Sequence, residues 1–132
     1  MISSLKCLLH SIDLLMSDHQ TTGSHGESMA VSFLTGKGYS ILKRNWRHAN
    51  WEIDIIAEKN GLLHFVEVKT RRTPTFGYPE DDVSKKKFKH LVNAAEEFLF
   101  QFPRWKIIQF DIISIIITKG EPEFFFIEDV YL

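Results

Sequence analysis

The apolar positions change period several times along the chain, and each change marks an element. Near the start, Leu5, Leu8, Leu9, Ile12 and Leu15 recur at helical spacing, as in a short amphipathic helix. His10 and Asp13 interrupt this run and no small-residue cleavage site follows it, so it makes a poor signal peptide. Residues 1–23 are expected to be an amino-terminal extension, either a frayed or loosely docked arm or one whose first fifteen residues precede a true translation start at Met16. Ser24 is placed to cap a helix from His25 to Gly36, with Glu27 at the third position as in a capping box, and Gly36 and Gly38 stop it. Tyr39 to Arg47 reads as a strand, Trp51 to Lys59 as a second, Asn60-Gly61 as a tight turn and Leu62 to Thr70 as a third strand. Arg71 to Asp82 holds Pro74, Gly77 and Pro79 and reads as a loop. Ser84 caps a long helix to about Phe102, with Phe88, Leu91, Val92, Ala95, Phe98, Leu99 and Phe102 on its apolar stripe. Beyond Pro103, Trp105 to Thr118 is a strand or bent pair of strands, Lys119 to Pro122 a turn and Glu123 to Val130 a last strand. The order α-β-β-β-α-β-β predicts an α/β domain over residues 24–132, an α+β mixed sheet flanked by helices.

The 132 residues suit one domain, and 44% hydrophobic with 25% charged residues allows a real core. No apolar run approaches the ~20 residues needed to span a bilayer, so no membrane partner is expected. The formal net charge of -1 advertises no global affinity for nucleic acid, so any such binding must come from local patches. One cysteine, Cys7, excludes a disulfide framework and a cysteine-rich zinc site, and is compatible with a cytoplasmic location.

The hairpin carries the candidate chemistry. If Asn60 and Gly61 form a two-residue loop, Lys59 pairs with Leu62. That register sets Asp54 opposite Glu67 and Glu52 opposite Lys69, with β-carbons about 5 Å apart. Strand alternation puts Glu52, Asp54 and Ile56 on one face with Phe65, Glu67 and Lys69. Ile53, Ile55, Ala57, His64, Val66 and Val68 make the other face, expected to pack on the core. Opposed carboxylates destabilise a sheet unless a cation lies between them. Hard oxygen donors favour magnesium, manganese or calcium over zinc. Lys69, on the same face, could orient a water or meet charge developing on a phosphate. Glu27 lies on the apolar stripe of its helix, where a carboxylate needs a partner.

Each residue also has a plainer reading. Glu27 alone is most simply a capping-box residue, Glu52 and Lys69 an ordinary cross-strand ion pair, Asp54 a solvated strand residue, and His64 a core histidine satisfied by a neighbour. The combination is more specific than its parts.

That combination, a helix with Glu27 and then Asp54 and Glu67-Val68-Lys69, resembles the PD-(D/E)xK, or restriction-endonuclease-like, superfamily. Gly26-Glu27, Ala30, Phe33-Leu34, Lys37-Gly38-Tyr39, Arg44-Asn45, Glu52 to Ala57, Phe65 to Arg71, Phe76-Gly77, Lys87 and Phe110-Asp111 together resemble the YraN-like family of small uncharacterised bacterial proteins. The resemblance implies a restriction-endonuclease-like core related to archaeal Holliday-junction resolvases. It implies that Asp54 and Glu67 hold Mg2+ or Mn2+, with Glu27 beside them, and that Lys69 positions the attacking water. The implied activity is hydrolysis of phosphodiester bonds in DNA, branched or structured DNA included, and the related resolvases are dimers, which points to a homodimer. The family commonly carries a glycine before the Glu-Ile-Asp motif, where this chain has Trp51.

Local charge fits a nucleic-acid partner. Arg44 and Arg47 form one basic stretch with Lys43, Arg71 and Arg72 a second with Lys69, and Lys86 and Lys87 a third with Lys85 and Lys89. The third lies at the amino end of the long helix, where cations oppose the helix dipole. Two other readings keep the fold: a non-catalytic nucleic-acid-binding protein, and a protein-interaction module that uses the apolar tail Phe124 to Ile127, Val130 and Tyr131 as its surface.

Overall fold

A computed structural model describes residues 19–72 and 83–131. The expectations for Leu5 to Leu15, for a start at Met16 and for most of the loop from Arg71 to Asp82 lie outside the described residues. Helix α1 spans His19–Gly36, followed by β1 (Ser40–His48), β2 (Trp51–Lys59), β3 (Leu62–Arg71), α2 (Lys85–Gln101), β4 (Ile108–Ile116) and β5 (Glu123–Ile127). The observed order is α-β-β-β-α-β-β, an α+β mixed sheet with helices, as the periodicity predicts.

The sheet runs β1-β2-β3-β4-β5. All neighbours are antiparallel except β3 and β4, which are parallel. A parallel pair cannot be joined by a tight turn, and α2 is the crossover that joins this one. Asn60 (φ 54°) and Gly61 (φ 80°) are both left-handed, as a type I′ turn demands. Lys59 pairs with Leu62, the register expected from the sequence.

Helix α1 begins earlier than predicted. Ser24 lies inside it rather than capping it, and its carbonyl accepts from the Ser28 hydroxyl. The orphan amides that a cap at Ser24 would satisfy are therefore not at this position. Helix α2 starts as predicted: Ser84 is its N-cap, and the Ser84 hydroxyl accepts from the Lys87 amide at 3.1 Å.

Both faces of the sheet are covered, not one. Met29, Ala30 and Leu34 of α1 pack with Tyr39, Ile55, Ala57, Val66, Ile113 and Ile115. Leu91, Ala94, Ala95 and Phe98 of α2 pack with Ile53, Ile56, Leu63 and Phe65. Ile53 thus departs from the strict alternation that would group it with Ile55. Ile53 still pairs with Trp46 of β1, so the break falls between Ile53 and Ile55, opposite left-handed Asn45 (φ 49°) and where the ladder to β3 has ended.

Helix α1 approaches the sheet closely at Gly26, where an added Cβ would clash with the Thr70 side chain, so only glycine fits. The tail is mostly core. Phe124 stacks on Phe33, Phe126 meets Phe33 and Tyr39 edge-on, and Val130 is buried, whereas Phe125 and Tyr131 stay exposed. Among the described residues, no helix is long and apolar enough to cross a membrane.

Candidate metal centre and nucleic-acid interface

The site forms where β2 and β3 part. Beyond the Ile55–Val66 pair, the Val68 amide donates not to a backbone carbonyl but to Asp54 Oδ2, at 2.9 Å. The Asp54 side chain therefore wedges open the hairpin at the end remote from its turn. Glu67 sits beside it, 4% exposed, next in register to buried Ile112 of β4. Its carboxylate is met by an ammonium from the other side of the crevice: Lys87 Nζ lies 2.6 Å from Glu67 Oε1.

The electrostatics record the crowding of acids. Burial pushes the Asp54 carboxyl up to about 8, and the neighbouring Glu67 and Glu27 charges push the same way. The Val68 amide and Lys87 only partly oppose this. Burial also raises Glu27, partly offset by the Asn45 side chain, while Glu52 and Glu67 repel it further. Burial alone would lower Lys87, but its bond to Glu67 and the fields of Asp54 and Glu52 leave it raised. Four carboxylates thus feel one another across a small region, with one lysine against them.

The predicted site residues fall into three groups. Asp54, Glu67 and Glu27 come together, Glu27 reaching in from α1 and held by left-handed Asn45 of β1. Glu52 does not pair with Lys69 as expected. It pairs in register with Arg47 and bonds it at 3.4 Å on the exposed surface. The reason is the end of the β2–β3 ladder: with no pairing beyond Ile55, Glu52 takes its neighbour on β1 instead. Lys69 is exposed on β3 and makes no ion pair with a described residue.

The basic residues surround this same open end. Arg44 is exposed and donates to the Ser28 hydroxyl at 3.0 Å. Arg47 lies further along β1, Arg71 and Arg72 at the end of β3, and Lys86 in the first turn of α2. Lys87, read from sequence as a phosphate contact, is instead turned onto Glu67. Trp51 is half-buried and packs on the α2 side of the sheet, its ring tilted towards His48.

Sequence reasoning also missed the partner of His64. His64 Nδ1 is 2.6 Å from Asp111 Oδ2 in the core. Asp111 Oδ1 also accepts from Gln109 Nε2 at 2.8 Å and from the Asp129 amide at 3.0 Å. The signal available was a histidine on an apolar face, which requires a polar neighbour, with no clue to its identity.

Among the described residues, no three His, Cys, Asp or Glu side chains are gathered to hold a metal as they stand. The donor chemistry nevertheless fits Mg2+ or Mn2+. Such ions need only one or two carboxylates, the rest of the shell being water and substrate phosphate. Asp54 and Glu67 supply two carboxylates, Glu67 buried and Asp54 half-buried, and the Lys87 ammonium already stands against Glu67 as its cation.

A family model described as uncharacterised protein family UPF0102 matches residues 26–115. A UPF0102 protein of Flavobacterium psychrophilum is 41% identical over 116 residues, covering 88% of this chain and 98% of its own length. One from Chloroherpeton thalassium is 39% identical over 125 residues, covering 88% and 97%. One from Bacteroides fragilis is 41% identical over 105 residues, covering 80% and 87%. Their names state no activity.

Proposed function

The chain belongs to the UPF0102 family, the YraN-like family its motifs resemble, and we propose that it is a divalent-metal-dependent nuclease acting on phosphodiester bonds of DNA, branched or structured DNA included. One observation carries the reading: Asp54 and Glu67 are forced together in a crevice where burial and mutual repulsion push Asp54 up to about 8. A fold keeps so costly an arrangement when a bound cation repays it.

Asp54 and Glu67 would hold Mg2+ or Mn2+, with Glu27 at the border of the site. Bound there, the ion would polarise a phosphate oxygen and lower the pKa of its water. The protein's own groups do the rest. Asp54 Oδ2 is committed to the Val68 amide, which fixes the carboxylate in orientation and leaves Oδ1 for ligation. Exposed Lys69, two residues from Glu67, orients the attacking water and meets charge growing on the phosphate. Arg44, Arg47, Arg71, Arg72 and Lys86 hold the flanking backbone phosphates, a contribution that weakens with salt. A cytoplasmic location and a homodimer go with this reading.

A second reading has its own support. Lys87 already supplies Glu67 with a cation, which is how a domain that binds nucleic acid without cutting it would settle its acids. A panel of single-stranded, duplex, flap and four-way DNA, plus RNA, separates the two. With Mg2+ or Mn2+ the nuclease cuts at least one DNA substrate, and Asp54→Ala and Lys69→Ala fold but do not cut. Salt-dependent binding without cleavage, unaltered in those variants, overturns the nuclease reading in favour of the second.

A further inference from the structure

Lys87 sits in an unfavourable place for a cation. Ser84 is the N-cap of α2, so Lys87 is the third helical residue, where a capping box would carry Glu or Gln. The positive end of the helix dipole repels an ammonium there. Lysine is a good helix former, but neither the dipole nor capping explains it at this position. The side chain crosses from α2 to the β2–β3 crevice and ends 2.6 Å from a carboxylate that is only 5% exposed, while Lys87 itself remains 51% exposed. Glu67 is thus fixed in the sheet, and its counter-ion hangs on a flexible stem open to solvent.

We infer that Lys87 is a tethered counter-cation that competes with the divalent ion for Glu67, occupying Oε1 when no metal is bound and swinging away when one arrives. This rests on the metal-binding reading of Asp54 and Glu67. Three observations support an exchange rather than a shared site. The contact is a short direct ion pair on one oxygen of the carboxylate a metal would use. The lysine also feels Asp54 and Glu52, so its charge serves the whole acidic crevice. Its half-exposed stem gives it a path out that needs no unfolding. A released ammonium would lie at the amino end of α2 among Lys85, Lys86 and Lys89, beside the path of a bound phosphate backbone. Lys87 is accordingly a positioning residue that sets when the crevice is open to metal.

The test is calorimetric titration of Mn2+ into the full-length protein, with no nucleic acid, compared among wild type, Lys87→Met, Lys87→Arg and Lys89→Ala. Lys87→Met keeps the stem, and circular dichroism confirms its fold. Competition predicts Mn2+ affinity roughly tenfold or more tighter in Lys87→Met, since a nearby unit charge is removed. Lys87→Arg restores weak binding, and Lys89→Ala, which removes a charge from the same turn, changes little. Binding only in Lys87→Met also supports the inference. Unchanged or weaker binding in Lys87→Met overturns the competition while the metal site stands. No binding in any variant overturns both. Should Lys87→Met fail to fold, Lys87→Gln serves in its place under the same criteria.

Discussion

Two acids of the sheet, Asp111 buried and Asp54 half-buried, are treated in opposite ways. Asp111 is fully buried, and His64, Gln109 and the Asp129 amide all hydrogen-bond to it. Asp54 receives one backbone amide, faces Glu67 and Glu27, and is pushed up to about 8. Both lie in the same sheet, Asp54 on β2 and Asp111 on β4, with β3 between them. The difference teaches that burial alone does not mark a site. An acid whose oxygens are all met is a structural brace, whereas one buried beside further acids stores unfavourable energy that a ligand can relieve.

The contrast breaks most visibly at Asp111. Asp111→Ala orphans His64, Gln109 and a backbone amide in the core, and should cost roughly 3–5 kcal/mol in chemical denaturation. The corresponding change at Asp54 should do the reverse to stability and fall instead on activity. Asp54→Ala and Glu67→Gln are expected to lower metal-dependent cleavage by about 10²-fold or more while circular dichroism stays native.

A pH series sharpens the same comparison. The Asp54 carboxyl holds its proton in the folded protein to about 8, against an ordinary value of 3.8. Between those values the native state binds a proton that the unfolded chain has released. Stability contributed by the protonated group is therefore complete at low pH and drains away as pH rises through this window. Melting temperatures in chelator should fall from mildly acid to alkaline pH, and Asp54→Asn should flatten that slope. Saturating Mg2+ should oppose the fall, because the ion binds the deprotonated pair. A slope unchanged by Asp54→Asn would place the proton elsewhere. The smallest effect is expected at the Arg47–Glu52 pair, exposed and 3.4 Å long. Glu52→Gln should shift stability by less than about 1 kcal/mol.

Much of the fold was legible because its signals are local. Asn60-Gly61 dictated the turn, the turn dictated the register, and Ser84 marked the start of α2. Counting residues back from that turn put Asp54 and Glu67 at the open end of the hairpin, although the observed ladder stops one pair short of them. Other features escaped. Ile53 left the expected face because the alternation breaks between Ile53 and Ile55, opposite left-handed Asn45, which no period in the sequence announces. Glu52 chose Arg47 over Lys69 because the ladder to β3 ends at Ile55. The covering of both sheet faces came from two helices whose docking sides depend on connection geometry rather than on the alternation within any strand.

By itself the sequence determined which segments are helix and strand, the hairpin register, and the presence of acids at its open end. These depend on periods of two and 3.6 residues and on turn chemistry, all read within a short window. Only the tertiary structure decided which charges meet. Lys87 reaches Glu67 because the β3–α2–β4 crossover carries the start of the helix over the end of the strand, and His64 reaches Asp111 because β4 lies parallel to β3. Partners 20 and 47 residues apart are set by packing, and no local pattern encodes them.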